Sequence, residues 1–210
     1  MPRPNRVSPF GTFDAVAARG TLTGNRGVLH DRDGQLGKAR WRHRRWIVCR
    51  LDWQGIRRPI MAPGRWTELF FLDEAVAFAA GHRPCAYCRR DDYRRFVAAW
   101  HAAGLPLPAS GPVADSIDRT LHAARIDPSS GEQRRHRGDA TALPTGCMIS
   151  APSGEALLVV GSACRVWSHA GYGPLRPLPA GRVDVLTPEP LVRVLAAGYR
   201  PALHPTASGD

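Results

Sequence analysis

Cys85 and Cys88, with two residues between them and directly preceded by Arg83 and Pro84, are the residues whose spacing most plainly permits chemistry. A C-x-x-C turn can set two thiolates on one cation while backbone amides of the turn bond to the sulfurs, and zinc favours four such ligands in a tetrahedron. The proline stiffens the turn, and the nearby arginines favour the thiolate form. A redox dithiol would sit at a strand-to-helix junction, whereas here the pair follows a predicted helix, as in a zinc knuckle. The total of five cysteines is odd, which suits metal binding or free thiols better than a disulfide frame.

Cationic chemistry is concentrated in the same half. Of the net charge of +11, residues 1–100 carry 19 Lys+Arg against 9 Asp+Glu, and residues 101–210 carry 10 against 9. An arginine-rich field of this kind suits a polyanionic partner, because guanidinium groups pair well with phosphate. The run Arg40-Trp41-Arg42-His43-Arg44-Arg45-Trp46 interleaves cations with aromatic rings. On a strand, Arg40, Arg42 and Arg44 would project one way and Trp41, His43 and Arg45 the other, a surface able to grip phosphates and stack bases. Arg57, Arg58, Arg65, Arg89, Arg90, Arg94 and Arg95 extend it. The alternative is that Trp41 and Trp46 anchor the core and the arginines solvate a sheet. A third constellation, Asp115, Asp118, His122 and Arg125, has helical spacing. Asp118 and His122 are the candidate acid/base pair for a metal-assisted phosphodiesterase, although such pairs also occur on ordinary helix surfaces.

The elements that must position these groups read as α+β. An extended arm over residues 1–20 leads to a Gly24-Asn25 turn. Strand-like runs at 41–53 and 56–61 suggest a hairpin, with Ile47, Cys49, Leu51 and Trp53 on one face. Asp73 is a predicted N-cap for a helix over 74–80, and Gly81 supplies the left-handed residue that ends it. Asp91 or Asp92 caps a second helix reaching Gly104. A Pro- and Gly-rich linker over 105–112 precedes a helix over 113–125 that buries Ile117, Leu121 and Ala124. Residues 128–138 read as a mobile loop. Short strands at 146–150, 156–160, 164–167 and 182–186 suggest a small β-barrel-like sheet, and 188–198 a last helix. Cys147 and Cys164 fall in apolar strand contexts and read as core.

Residues 70–89, F-F-L-D-E-A-V-A-F-A-A-G-H-R-P-C-A-Y-C-R, resemble the second half of the Ada-type zinc-binding domain, the metal-binding domain of the Ada DNA-repair protein. Gly24-Asn25-Arg26-Gly27-Val28-Leu29-His30 is similar to the opening of related stand-alone modules, so the resemblance covers about residues 20–100. It implies a four-ligand zinc site. The family's close first pair of ligands just before the helix is missing here, and with it the methyl-acceptor position. The nearest candidates for those two ligands are Cys49, 36 positions before Cys85, and His30. His43 and His82 compete with them, and Cys49 could instead be a small buried hydrophobe.

These readings together lead us to expect a basic zinc-binding module over 1–104 with a β-hairpin and short helices, and an α+β domain over 113–210. The expected function is a zinc-stabilised nucleic-acid-binding protein in DNA repair or processing, with Arg42, Arg44, Arg45, Arg83, Arg89 and Arg90 as contacts. The alternatives are the phosphodiesterase and a protein-interaction module with a purely structural zinc. No run of about 18 apolar residues and no signal-peptide core occur, so the expected setting is cytoplasmic with no membrane partner.

Overall fold

Local signals shape the segment carrying the cysteine pair. The Asp73 carboxylate accepts from the Val76 amide at 3.0 Å and starts helix α1 (Glu74–Ala79). Gly81 follows at φ 80°, and a Cβ there would stand 2.6 Å from Arg125 Cδ, so glycine serves both the turn and the close approach. The chain then enters a short strand, β6 (Arg83–Pro84), and turns through the cysteines into α2 (Arg90–Ala102). The pair therefore stands at a strand-to-helix junction, contrary to expectation, and what favours a metal over a redox dithiol is the third sulfur, Cys49, beside it.

The computed structural model describes residues 1–55 and 59–208 and shows an α+β chain. The first sheet contains β1 (Arg6–Val7), β2 (Phe13–Asp14), β3 (Leu22–Asn25), β4 (Ile47–Arg50), β5 (Leu69–Phe71) and β6, in the order β2-β1-β5-β3-β4-β6. Its register decides the site: Thr23 of β3 lies opposite Cys49, and Val48 of β4 lies opposite Pro84 of the parallel β6. Cys49 is thereby carried alongside the cysteine turn.

The second sheet contains β7 (His136–Asp139), β8 (Met148–Ser150), β9 (Ala156–Val160), β10 (Ala163–Ser168), β11 (Gly171–Pro177) and β12 (Arg182–Val185). Its order is β11-β10-β9-β8-β12-β7, with β11 and β7 at its ends. Helices α3 (Val113–Arg125) and α4 (Glu189–Ala196) complete the chain. One hydrophobic cluster joins Phe78, Phe96 and Trp100 to Ile117, Leu121, Ile149, Leu191 and Val194, so residues on both sides of the 105–112 segment share a core. Trp100 Nε1 bonds to the Pro106 carbonyl at 3.0 Å, fixing that segment against α2. No helix among the described residues is long and apolar enough to cross a membrane.

Several expected elements differ. The long strand over 41–53 is strand only at β4; residues 41–46 are irregular because Trp46 drops into the interior, 2% exposed. Its indole donates to the His43 carbonyl at 2.8 Å and is stacked between the guanidinium carbons of Arg26 and Arg125, 3.9 and 3.8 Å from the ring. Arg40, Arg42 and Arg44 therefore do not alternate along a strand. Of the expected 56–61 strand, Ile56, Arg57 and Arg58 lie outside the described residues, and Ile60 and Met61 are in a turn. Within the segment read as a mobile loop, residues 136–138 belong to β7, and Gln133 is tied down by its amide, which donates to the carbonyls of Pro9, Ala79 and Leu186.

Candidate metal centre

Cys49 arrives on β4, and Cys85 and Cys88 arrive on the turn after β6. The Cys85 amide donates to the Val48 carbonyl at 3.0 Å and the Arg89 amide to the Cys85 carbonyl at 3.2 Å, which closes the knuckle. The three sulfurs lie within 4.8 Å of one another, close enough to hold a metal ion. Backbone amides point at them: Tyr87 N–H donates to Cys85 Sγ at 3.4 Å, and the Arg50 amide faces Cys88. Hydrogen bonds from Cys49 and then Cys88 hold the Cys85 thiol well below its ordinary range. Bonding to Cys85 and Cys88, and then burial, push Cys49 well up. The three thiols are thus strongly coupled through their mutual hydrogen bonds, and a bound cation would favour the thiolate form of all three.

The sulfurs border a cavity of ≈ 380 Å³ walled by Trp53, Trp66, Phe70, Tyr87 and Glu68. Tyr87 is 61% exposed at its rim, edge-on to Trp53 at 5.7 Å. Glu68 is buried and accepts from the Met61 amide at 2.6 Å. Sequence spacing carries no signal for Glu68 or Trp66; only the strand register brings them to the cysteines.

His30 lies outside the sulfur group. Its Nδ1 bonds Thr67 Oγ1 at 2.6 Å and its Nε2 bonds the Ala62 carbonyl at 3.2 Å, so both ring nitrogens are engaged in holding 62–67. His43 bonds Asn25 Oδ1 at 3.2 Å. His82 is fully buried against Phe71 and Trp46, and burial, followed by Arg26 and Arg125, keeps it neutral. Cys147 and Cys164 sit in the core cluster.

The six arginines named above divide by environment. Arg83 is buried in a two-pronged ion pair with Asp118, at 2.8 and 2.6 Å. Arg89 is buried between Glu74 at 2.9 Å and Asp92 at 2.8 Å. Glu74 also accepts from Tyr199 Oη and the Ala202 amide, each at 2.8 Å, so Arg89 ties the knuckle to the C-terminal segment. Both arginines are structural partners of carboxylates and present nothing to an external phosphate. Arg42, Arg44, Arg45 and Arg90 are exposed, with Arg45 paired to Asp115 at 3.1 Å.

Asp118 and His122 do not form an acid/base pair, because both Asp118 oxygens are held by Arg83. His122 instead packs edge-on against Trp41, ring centroids 4.6 Å apart. Burial first, then Arg125 and Arg44, lower its pKa to about 4. The unfolded chain, with histidine near its ordinary pKa of about 6.5, binds more protons between these values. This contribution to stability is therefore present above pH 6.5 and lost as pH falls through 4. An NMR titration is expected to show the His122 ring neutral down to pH 5 with a midpoint near 4; a midpoint near 6.5 would show the ring to be solvated.

No family model matches the chain, and neither the curated proteins nor the solved structures searched give a match.

Proposed function

We propose that the chain is a zinc-stabilised nucleic-acid-binding protein. What carries the reading is one juxtaposition: the three-sulfur cluster includes β4, and the segment running directly into β4 bears the exposed Arg42, Arg44 and Arg45. Zinc suits the donor set, since it is bound by thiolates without redox demands, and Cys85, Cys88 and Cys49 would supply three of its four ligands. The fourth falls to a group in the adjoining cavity, whose wall includes Glu68. Holding β4 to the knuckle would fix Trp46 and with it the arginine segment, a rigid cationic edge suited to backbone phosphates. The resemblance of residues 70–89 to the Ada-type module points the same way and suggests DNA repair or processing as the setting.

The experiment is binding to random-sequence DNA and RNA across a salt series. The logarithm of affinity is expected to fall linearly with the logarithm of salt concentration. Replacing both Arg42 and Arg44 by alanine should weaken binding and reduce the magnitude of the slope by about 1 per lost phosphate contact. A flat salt response, or affinity unchanged in that variant, would reject nucleic-acid binding and leave the metal as the scaffold of a protein-interaction module.

A further inference from the structure

A second cavity, of ≈ 590 Å³, lies between the N-terminal arm and residues 126–135. Arg26, Lys38, Arg40 and Arg135 line it together with the rings of Phe10, Phe13, Trp41 and Trp46. Its walls are fastened. Gln133 binds the arm, the end of α1 and the residue after β12 through the carbonyls of Pro9, Ala79 and Leu186. Gly11, at φ 76°, lies so close that a Cβ would meet Gln133 Oε1 at 2.2 Å.

Arg26 is the telling residue. It is 3% exposed, yet among the described residues its side-chain partners are neutral: the Ala80 carbonyl at 3.0 Å, His82 Nε2 at 3.4 Å, and the faces of Trp46 and Phe13. Among the described residues, none of the four cations makes an ion pair with a carboxylate. The single acidic residue in the wall, Glu132, is exposed. Burying a guanidinium without a counter-charge is costly, and burial followed by the nearby Arg40 lowers the Arg26 pKa to about 9. An anion in the cavity would remove that cost. Arg135 lies over Phe10 at 5.2 Å and Arg40 over Phe13 at 5.8 Å; a stacked guanidinium still offers its N–H edges to a bound anion.

We propose that this cavity binds a phosphate monoester carried on a nucleoside, the chemistry shared by a free 5′-mononucleotide and the 5′-phosphorylated end of a strand. A monoester dianion matches a cluster of cations better than a singly charged diester does, and the aromatic walls suit a flat base. A cavity of this size is in the range that encloses a small organic ligand. The cavity shares no lining residue with the three-sulfur cluster and includes neither Arg42 nor Arg44, so its test is distinct from that of the function proposed above, although Trp46 of its wall also adjoins β4.

Four probes test it by calorimetric titration of the full chain: AMP, adenosine, and a hexanucleotide with either a 5′-phosphate or a 5′-hydroxyl. At least one phosphorylated probe is expected to bind at least tenfold more tightly than its unphosphorylated counterpart. Preference with AMP identifies the free nucleotide as sufficient, and preference confined to the hexanucleotide identifies a strand end. Lys38→Ala combined with Arg135→Ala, both exposed side chains whose loss leaves the core intact, should reduce the preference at least fivefold, while Arg119→Ala, which removes an exposed cation of α3 outside the cavity wall, should leave it unchanged. Equal binding of phosphorylated and unphosphorylated probes, or a preference untouched by the Lys38 and Arg135 substitutions, overturns the proposal.

Discussion

Cys88→Ser is expected to abolish stoichiometric zinc binding and, in zinc about a thousandfold above the wild-type dissociation constant, to lower stability by about 4 kcal/mol. The magnitude follows from linkage: a cation that binds only the folded chain stabilises it in proportion to the logarithm of one plus the ratio of free metal to dissociation constant. The structural reason is that the sulfurs come from β4 and from the knuckle, so the cation would tie together segments 36 positions apart. Serine keeps the size of the side chain but offers a poor ligand at neutral pH. Urea denaturation with and without chelator reads the effect. The wild-type midpoint should fall on chelation, and the variant should start low and not respond. Cys147→Ala is the control, since Cys147 is buried in the core away from the cluster; it should lose stability yet keep its metal. A Cys88→Ser protein that retains one zinc and a chelator-sensitive midpoint would refute the assignment.

Asp118→Asn is expected to cost about 3–5 kcal/mol, the usual penalty for leaving one member of a buried ion pair uncompensated. Both partners are almost inaccessible, their side chains 4% and 2% exposed, and among the described residues Arg83 has only the Pro84 carbonyl as a further acceptor. The pair fastens α3 to β6 at Arg83, two residues before Cys85, so it supports the knuckle from behind. Arg83→Met should cost a similar amount. The double variant Arg83→Met with Asp118→Leu should recover most of the loss, because neither charge then remains buried alone. Urea midpoints at constant m-value measure all three. A nearly neutral Asp118→Asn would mean that the carboxylate is not held by Arg83 and would reopen its candidacy as a reacting acid.

The contrast between these two sites explains what the sequence could convey. The cysteine turn, the Asp73 cap, the Gly81 terminator and the 113–125 helix are local patterns, in which a few neighbouring residues determine the backbone, and all four are found where local chemistry places them. The α+β class followed from the same signals. Arg83 and Arg89 read as surface cations because their partners are remote or hidden by period: Asp118 lies on another helix, and Glu74 opens the helix before the knuckle. His30 resembled a ligand because nothing in its neighbourhood announces Thr67, 37 positions away. The arginine-tryptophan run alternates like a strand, yet Trp46 gains more from burial between two guanidinium groups than from a ladder. β11 was hidden by its glycines and prolines, which usually interrupt strands; here β10 pairs with it through a register shift. Glu68 and the second cavity depend on register and on long-range packing, which no spacing encodes.

The most direct measurement is X-ray absorption at the zinc edge of the purified full chain, with metal content determined on the same sample. One zinc per chain with three sulfur neighbours at about 2.3 Å is expected. A chain that takes up no zinc, or a zinc whose neighbours are only nitrogen and oxygen, would contradict a centre built by Cys49, Cys85 and Cys88.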